Sequence, residues 1–153
     1  MPGHDKVTPQ GKEFFKQIEE LRKLQVRVGF QHGEVASSDG ADIADVAAWN
    51  ELGTAHSPPR PFLRQSVENN ESVIAAMCKQ QLVAIIKGQA TAQDALQALG
   101  VMQKALIQKT IKSGEFEPNA PSTIAKKKSN VPLIDTGRMR QSVNFVIKEK
   151  GAD

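Results

Sequence analysis

The tripeptide Asp135-Thr136-Gly137, preceded by Leu133-Ile134, has the sequence of an aspartic-protease loop. Such a site needs two carboxylates sharing one proton, which a homodimer supplies as one Asp from each copy. The neighbours oppose that chemistry. Arg138, Met139, Arg140 and Gln141 follow, where an aspartic protease continues into small or apolar residues. Arginines beside a dyad hold both carboxylates ionised and abolish the shared proton. An Asx or N-cap turn, in which Asp135 accepts backbone N–H bonds, fits the same residues without that conflict.

Other catalytic sets are weaker still. His56-Ser57 with Asp42 or Asp45 supplies hydrolase residue types, but no G-x-S-x-G elbow exists to expose a nucleophile. Neither a G-x-x-x-x-G-K-[ST] nor a G-x-G-x-x-G phosphate loop occurs. The three histidines, His4, His32 and His56, fall in loop-like segments, and the single Cys78 permits no internal disulfide. The expectation is therefore no catalytic residue, no metal and no cofactor. One cysteine also fits a reducing compartment such as a bacterial cytoplasm.

The 153 residues suit one domain, 1–153, large enough to bury a core without a metal or disulfide. No apolar run approaches the roughly 18 residues of a membrane span, and the first six residues lack a leader's apolar stretch. The chain thus reads as a soluble intracellular domain. With 20 Lys+Arg against 17 Asp+Glu the net charge is +3. Only Lys126-Lys127-Lys128 and the stretch 138–150 concentrate cations, and three lysines alone are usually a solvated surface. A nucleic-acid-binding regulator using those two stretches is the alternative function, less well supported because nucleic-acid modules usually carry a stronger, clustered excess.

The elements that position these residues follow from periodicity. Thr8-Pro9 starts a helix, Thr as N-cap and Pro at the first turn, with Phe14, Phe15, Ile18 and Leu21 on one stripe. Residues 25–30 alternate, with Val26, Val28 and Phe30 on one side, as a half-buried strand does. A polar loop at 31–41 leads to a short helix at 42–52, with Ile43, Val46, Ala47 and Asn50 facing inward and Gly53 as its stop. Trp49 reads equally as core or as an interface anchor. The double proline at 58–59 forces an extended segment through Arg60.

Pro61 is expected to start the longest helix, 61–87, with Leu63, Val67, Ile74, Met77, Cys78, Leu82 and Ile85 as its stripe and Gly88 as C-cap. Thr91 and Asp94 form a capping box that opens a second long helix, carrying Ala95, Leu99, Met102 and Leu106 inward and ending near Gly114. Together they make an αα-hairpin. Residues 115–132 are irregular. A short helix over 134–142, capped by Asp135 or Thr136, precedes a second alternating strand at 143–149. The expected fold class is α+β: a small, mostly antiparallel sheet packed against the long helical hairpin and shorter helices. The N-terminus at about 1–7 is expected to be flexible, and the loops at about 31–41 and 115–131 mobile until assembly.

Several segments, taken in order, resemble one family. They are Val26-Arg27-Val28-Gly29-Phe30, DVAAWNELGT over 45–54, PPRPFLR over 58–64, NAPSTIAKKK over 119–128 and PLIDTGRMRQS over 132–142, entering a final strand. Each is short, but their order resembles the neck, or tail-completion, virion-morphogenesis proteins of tailed bacteriophages and prophages. That resemblance implies a structural virion protein, not an enzyme, assembled in the host cytoplasm and acting in tail completion or head–tail joining. It implies a ring of identical subunits, with other neck, head-closure or tail-terminator proteins as partners. No membrane is involved, and DNA at most passes through the lumen. The residues expected to serve assembly or its supporting turns are Arg60, Phe62, Arg64, Asp135, Gly137, Arg138 and Arg140, with the acidic helix at 42–52 as the expected counterpart of Arg138 and Arg140.

Overall fold

A computed structural model describes residues 6–33, 41–113 and 137–152. Among them six helices and two strands run in the order α1 (Pro9–Lys23), β1 (Leu24–Gly29), α2 (Ile43–Leu52), α3 (Phe62–Glu68), α4 (Glu71–Ile86), α5 (Ala92–Ser113), α6 (Gly137–Ser142) and β2 (Asn144–Glu149). The strands form one antiparallel pair, from Leu24↔Glu149 to Gly29↔Asn144. The fold is α+β, as the two alternating segments required.

Helix α5 is the spine. It touches both strands and α1, α3, α4 and α6. The sheet lays Val26, Val28, Phe145 and Ile147 toward it, with Gln25, Arg27, Val146 and Lys148 on the other face. One core cluster joins Ile43 and Ala47 of α2, Phe62 of α3, Ile107 and Ile111 of α5, Met139 of α6 and Val143. Ile85, Ala92, Ala95 and Leu96 are buried toward the other end of α5. Its buried residues are Ala92, Ala95, Leu96, Gly100, Ile107 and Ile111, against the expected Ala95, Leu99, Met102 and Leu106. Of those four only Ala95 is buried; the others flank the buried set, because α5 is packed on several sides rather than along one stripe.

Helix ends follow local chemistry. Thr8 Oγ1 accepts from the Gly11 amide at 3.0 Å. Asp94 accepts from the Thr91 amide at 2.9 Å while Thr91 Oγ1 accepts from the Asp94 amide at 3.1 Å, a reciprocal capping box. The Thr91 amide, then the Thr91 hydroxyl, hold the Asp94 carboxyl below its ordinary value of 3.8. A third donor of the same turn, the Ala92 amide, is taken by Gln17 Oε1 from α1 at 2.8 Å. At the far end of α4, Gly88 at φ +72° closes a Schellman turn, with Gln89 N–H donating to Ala84 O and Gly88 N–H to Ile85 O.

The expected 61–87 helix is two helices. Asn70 adopts φ −130°, and its side-chain Nδ2 donates to the Ser66 carbonyl at 2.9 Å. Its own amide turns instead to Val67 O. A side chain thus replaces the backbone donor that a continuous helix would have used, and the ladder breaks there. The expected stripe is overturned in part as well. Val67, Cys78 and Leu82 are exposed, whereas Ile85 is buried and Ile74 and Met77 are half-buried. On α1, Phe15 is exposed, and Gln17 takes the buried position.

Candidate functional site

Two of the quoted motifs fold into one corner. Helix α2 is capped by Asp42, which accepts from Ala44 N–H at 2.8 Å and from Gly33 N–H at 2.7 Å. The Gly33 bond, then the Ala44 bond, and to a lesser degree the nearby His32, hold its carboxyl below the ordinary 3.8. Helix α2 ends at Gly53, φ +78°, whose amide donates to Trp49 O at 2.9 Å. A Cβ at Gly53 would lie 2.8 Å from the Pro59 nitrogen, so only glycine allows the double proline to fold back on the helix.

The returning segment makes a small turn at Thr54 and Ser57, then Arg60 N–H donates to Asn50 O at 2.6 Å. Pro61, at φ −78° and ψ 63°, forms an inverse γ-turn closed by Phe62 N–H to Arg60 O at 2.8 Å. This turn delivers Phe62 into the core, where its ring meets Phe30 edge-on at 5.9 Å. Pro61 has no side-chain acceptor to cap α3. Glu51 supplies it from α2: its two carboxylate oxygens accept from Leu63 N–H at 2.8 Å and Arg64 N–H at 3.1 Å.

That bond changes the meaning of the acidic helix. Asp42 and Glu51 are both engaged inside the chain, which leaves Asp45 as the α2 carboxylate facing solvent. Glu51 as a cross-helix cap was not anticipated; the signal was a helix start, Pro61, with no capping side chain of its own. Arg60 is half-buried and Arg64 exposed. On α6, Gly137 opens the helix, Arg138 is exposed and Arg140 half-buried, while Met139 between them is fully buried. Gln108 Nε2 donates to the Arg140 carbonyl at 3.1 Å, tying the helix to α5. Asp135, the lysine triplet 126–128 and the segment 115–131 lie outside the described residues, as do 34–40 of the earlier loop.

The hydrolase set does not assemble. Asp42 caps the start of α2 and Asp45 lies in its first turn, whereas His56 and Ser57 follow its far end; the helix of 10 residues spans about 15 Å. Among the described residues no three His, Cys, Asp or Glu side chains gather to hold a metal, and no helix is long and apolar enough to cross a membrane.

The corner leaves two large apolar side chains uncovered. Trp49 is 51% exposed and Leu52 76%. A second uncovered apolar surface runs along α4, where Val73, Leu82, Val83 and Ile86 are all exposed. Beside Ile86 lies a shallow groove of about 360 Å³, lined also by Thr8, Gln10, Gly11 and Phe14 of the α1 region. Compared with protein-family models, curated proteins and solved structures, the chain matches none.

Proposed function

We propose that this chain is a structural protein of a tailed-phage or prophage virion, acting in tail completion or head–tail joining as a ring of identical subunits. One observation supports the reading most directly. The DVAAWNELGT and PPRPFLR segments form a single rigid corner, locked by Glu51 and Gly53, and that corner presents Trp49 and Leu52 to solvent. A tryptophan held half outside this corner leaves much of its apolar surface unburied in the monomer. Contiguous exposed apolar groups of this kind mark surfaces that bind other proteins.

The partners would be further copies of the chain and neighbouring neck, head-closure or tail-terminator proteins, with DNA at most crossing the lumen. The role needs no catalytic group and no cofactor. Loss of the gene from a producing phage should leave filled heads and complete tails unjoined in electron micrographs, and the purified protein should form closed rings. Arg138→Glu with Arg140→Glu should give the same unjoined particles by weakening docking to a neighbouring virion protein, while the subunit stays folded and still forms rings. Normal joined particles from the deletion would refute the role. Tight binding to duplex DNA that collapses with added salt would favour the regulator instead.

A further inference from the structure

We propose that the ring closes through one heterologous contact. The α2 ridge of one copy, Asp45, Trp49 and Leu52, seats on the α4 ridge of the next, Lys79, Leu82 and Ile86. The proposal rests on the ring-forming role above and adds the surfaces that would build it.

Three observations carry it. First, the ridges match in spacing. Asp45, Trp49 and Leu52 stand at i, i+4 and i+7; Lys79, Leu82 and Ile86 at i, i+3 and i+7; each set shares one helix face. Each presents one charge followed by two apolar side chains, and the charges are opposite. Laid parallel, the ridges put Asp45 beside Lys79, Trp49 against Leu82, and Leu52 at the groove between Ile86 and Phe14. Neither Asp45 nor Lys79 has an ionic partner among the described residues.

Second, the ridges sit toward opposite ends of the subunit. Helix α2 packs with Ile107 and Ile111 near the end of α5, whereas the last turns of α4 lie by its start, across the Gly88 turn from Ala92. A ring needs two different patches facing in different directions, since a patch that meets its own copy makes only a closed pair.

Third, α4 is unusually bare. It is apolar around much of its circumference, yet Ile85 is the single buried residue among its 16. A helix of that composition is normally covered. A second copy carrying the complementary charge and apolar pair fits that surface.

The test uses two full-length variants. Leu52→Glu disables the α2 ridge, and Leu82→Glu the α4 ridge; both positions are exposed, so circular dichroism should be unchanged. Each variant alone should be monomeric, its self-affinity reduced at least about thirtyfold. Mixed, they should form a 1:1 heterodimer and stop, because the intact α2 ridge of one meets the intact α4 ridge of the other. Reversing Asp45→Lys or Lys79→Asp should weaken assembly, and the double reversal should restore it. Leu82→Ser replaces Leu82→Glu if the latter unfolds. Rings from either single variant, or homodimers of one, would overturn this contact while leaving the ring itself standing. A wild-type protein that stays monomeric at all concentrations, by sedimentation, would overturn both.

Discussion

Gly100 on α5 and Phe145 on β2 occupy space that only a glycine leaves open. A Cβ at Gly100 would stand 2.6 Å from the Phe145 Cγ and 2.8 Å from Cε2, inside any real carbon contact. The ring lies directly on the helix backbone, and the sheet meets the spine of the molecule at this point.

Replacing Gly100 by Ala should therefore destabilise the protein, although Ala favours helix by about 1 kcal/mol. Overpacking costs about 1–3 kcal/mol, and here it meets an aromatic ring held by Val28 across the strand pair. Urea unfolding should show a net loss, and Phe145→Leu in the same chain should recover part of it. A stabilised Gly100→Ala variant would mean that the sheet shifts freely over α5.

Glu51→Ala should cost about 1–2 kcal/mol, since it strips two backbone donors at the start of α3 of their acceptor. Glu51→Gln, which keeps one oxygen, should lose less. Amide exchange at Leu63 and Arg64 reports the local effect, and equal protection in all three proteins would contradict it.

The pH dependence of the α5 cap has a definite sign. Asp94 titrates lower in the folded chain than in the unfolded one, so its stabilisation is complete above pH 3.8 and is lost as the pH falls through the lowered value. Asp94→Asn should be less stable than wild type at pH 7, and the two should converge in strong acid. Parallel stability curves down to pH 2 would exclude the cap as the cause.

Gln17→Leu should be more damaging than its apolar surroundings suggest. It leaves the Ala92 amide, a buried donor, without its 2.8 Å partner, at a cost of about 1–3 kcal/mol. Thermal unfolding should register the loss, whereas a neutral result would imply that another acceptor replaces Gln17.

The features legible in sequence were those decided within a few residues. Thr8, Gly53, Gly88 and the Thr91–Asp94 box all act on their own helix ends, and the two alternating strands carry their pairing face with them. Coverage was not legible. Periodicity says that Leu82, Cys78 and Ile85 share a side of α4, but not that only Ile85 of the three would be buried. The break at Asn70 depended on a rotamer choice, and Glu51 acted across a turn on another helix, so neither leaves a local pattern. At the candidate site, Phe62 is fully buried, and Trp49 is half exposed rather than a core residue. The acidic helix lost two of its three carboxylates to internal bonds.

The strand pairing has a consequence for the order of events during synthesis. Gly29 and Asn144 are neighbours across the sheet, yet about three quarters of the chain separates them, and Met139 and Val143 complete the core that holds α2. The α4–α5 hairpin is local and can form early, whereas closing so long a loop is slow. Until residue 149 has left the ribosome, the bed for Phe145 on α5 is open and the core beneath α2 lacks Met139 and Val143. The chain would then acquire the exposed Trp49 surface in its final geometry only after β2 has been made and paired with β1.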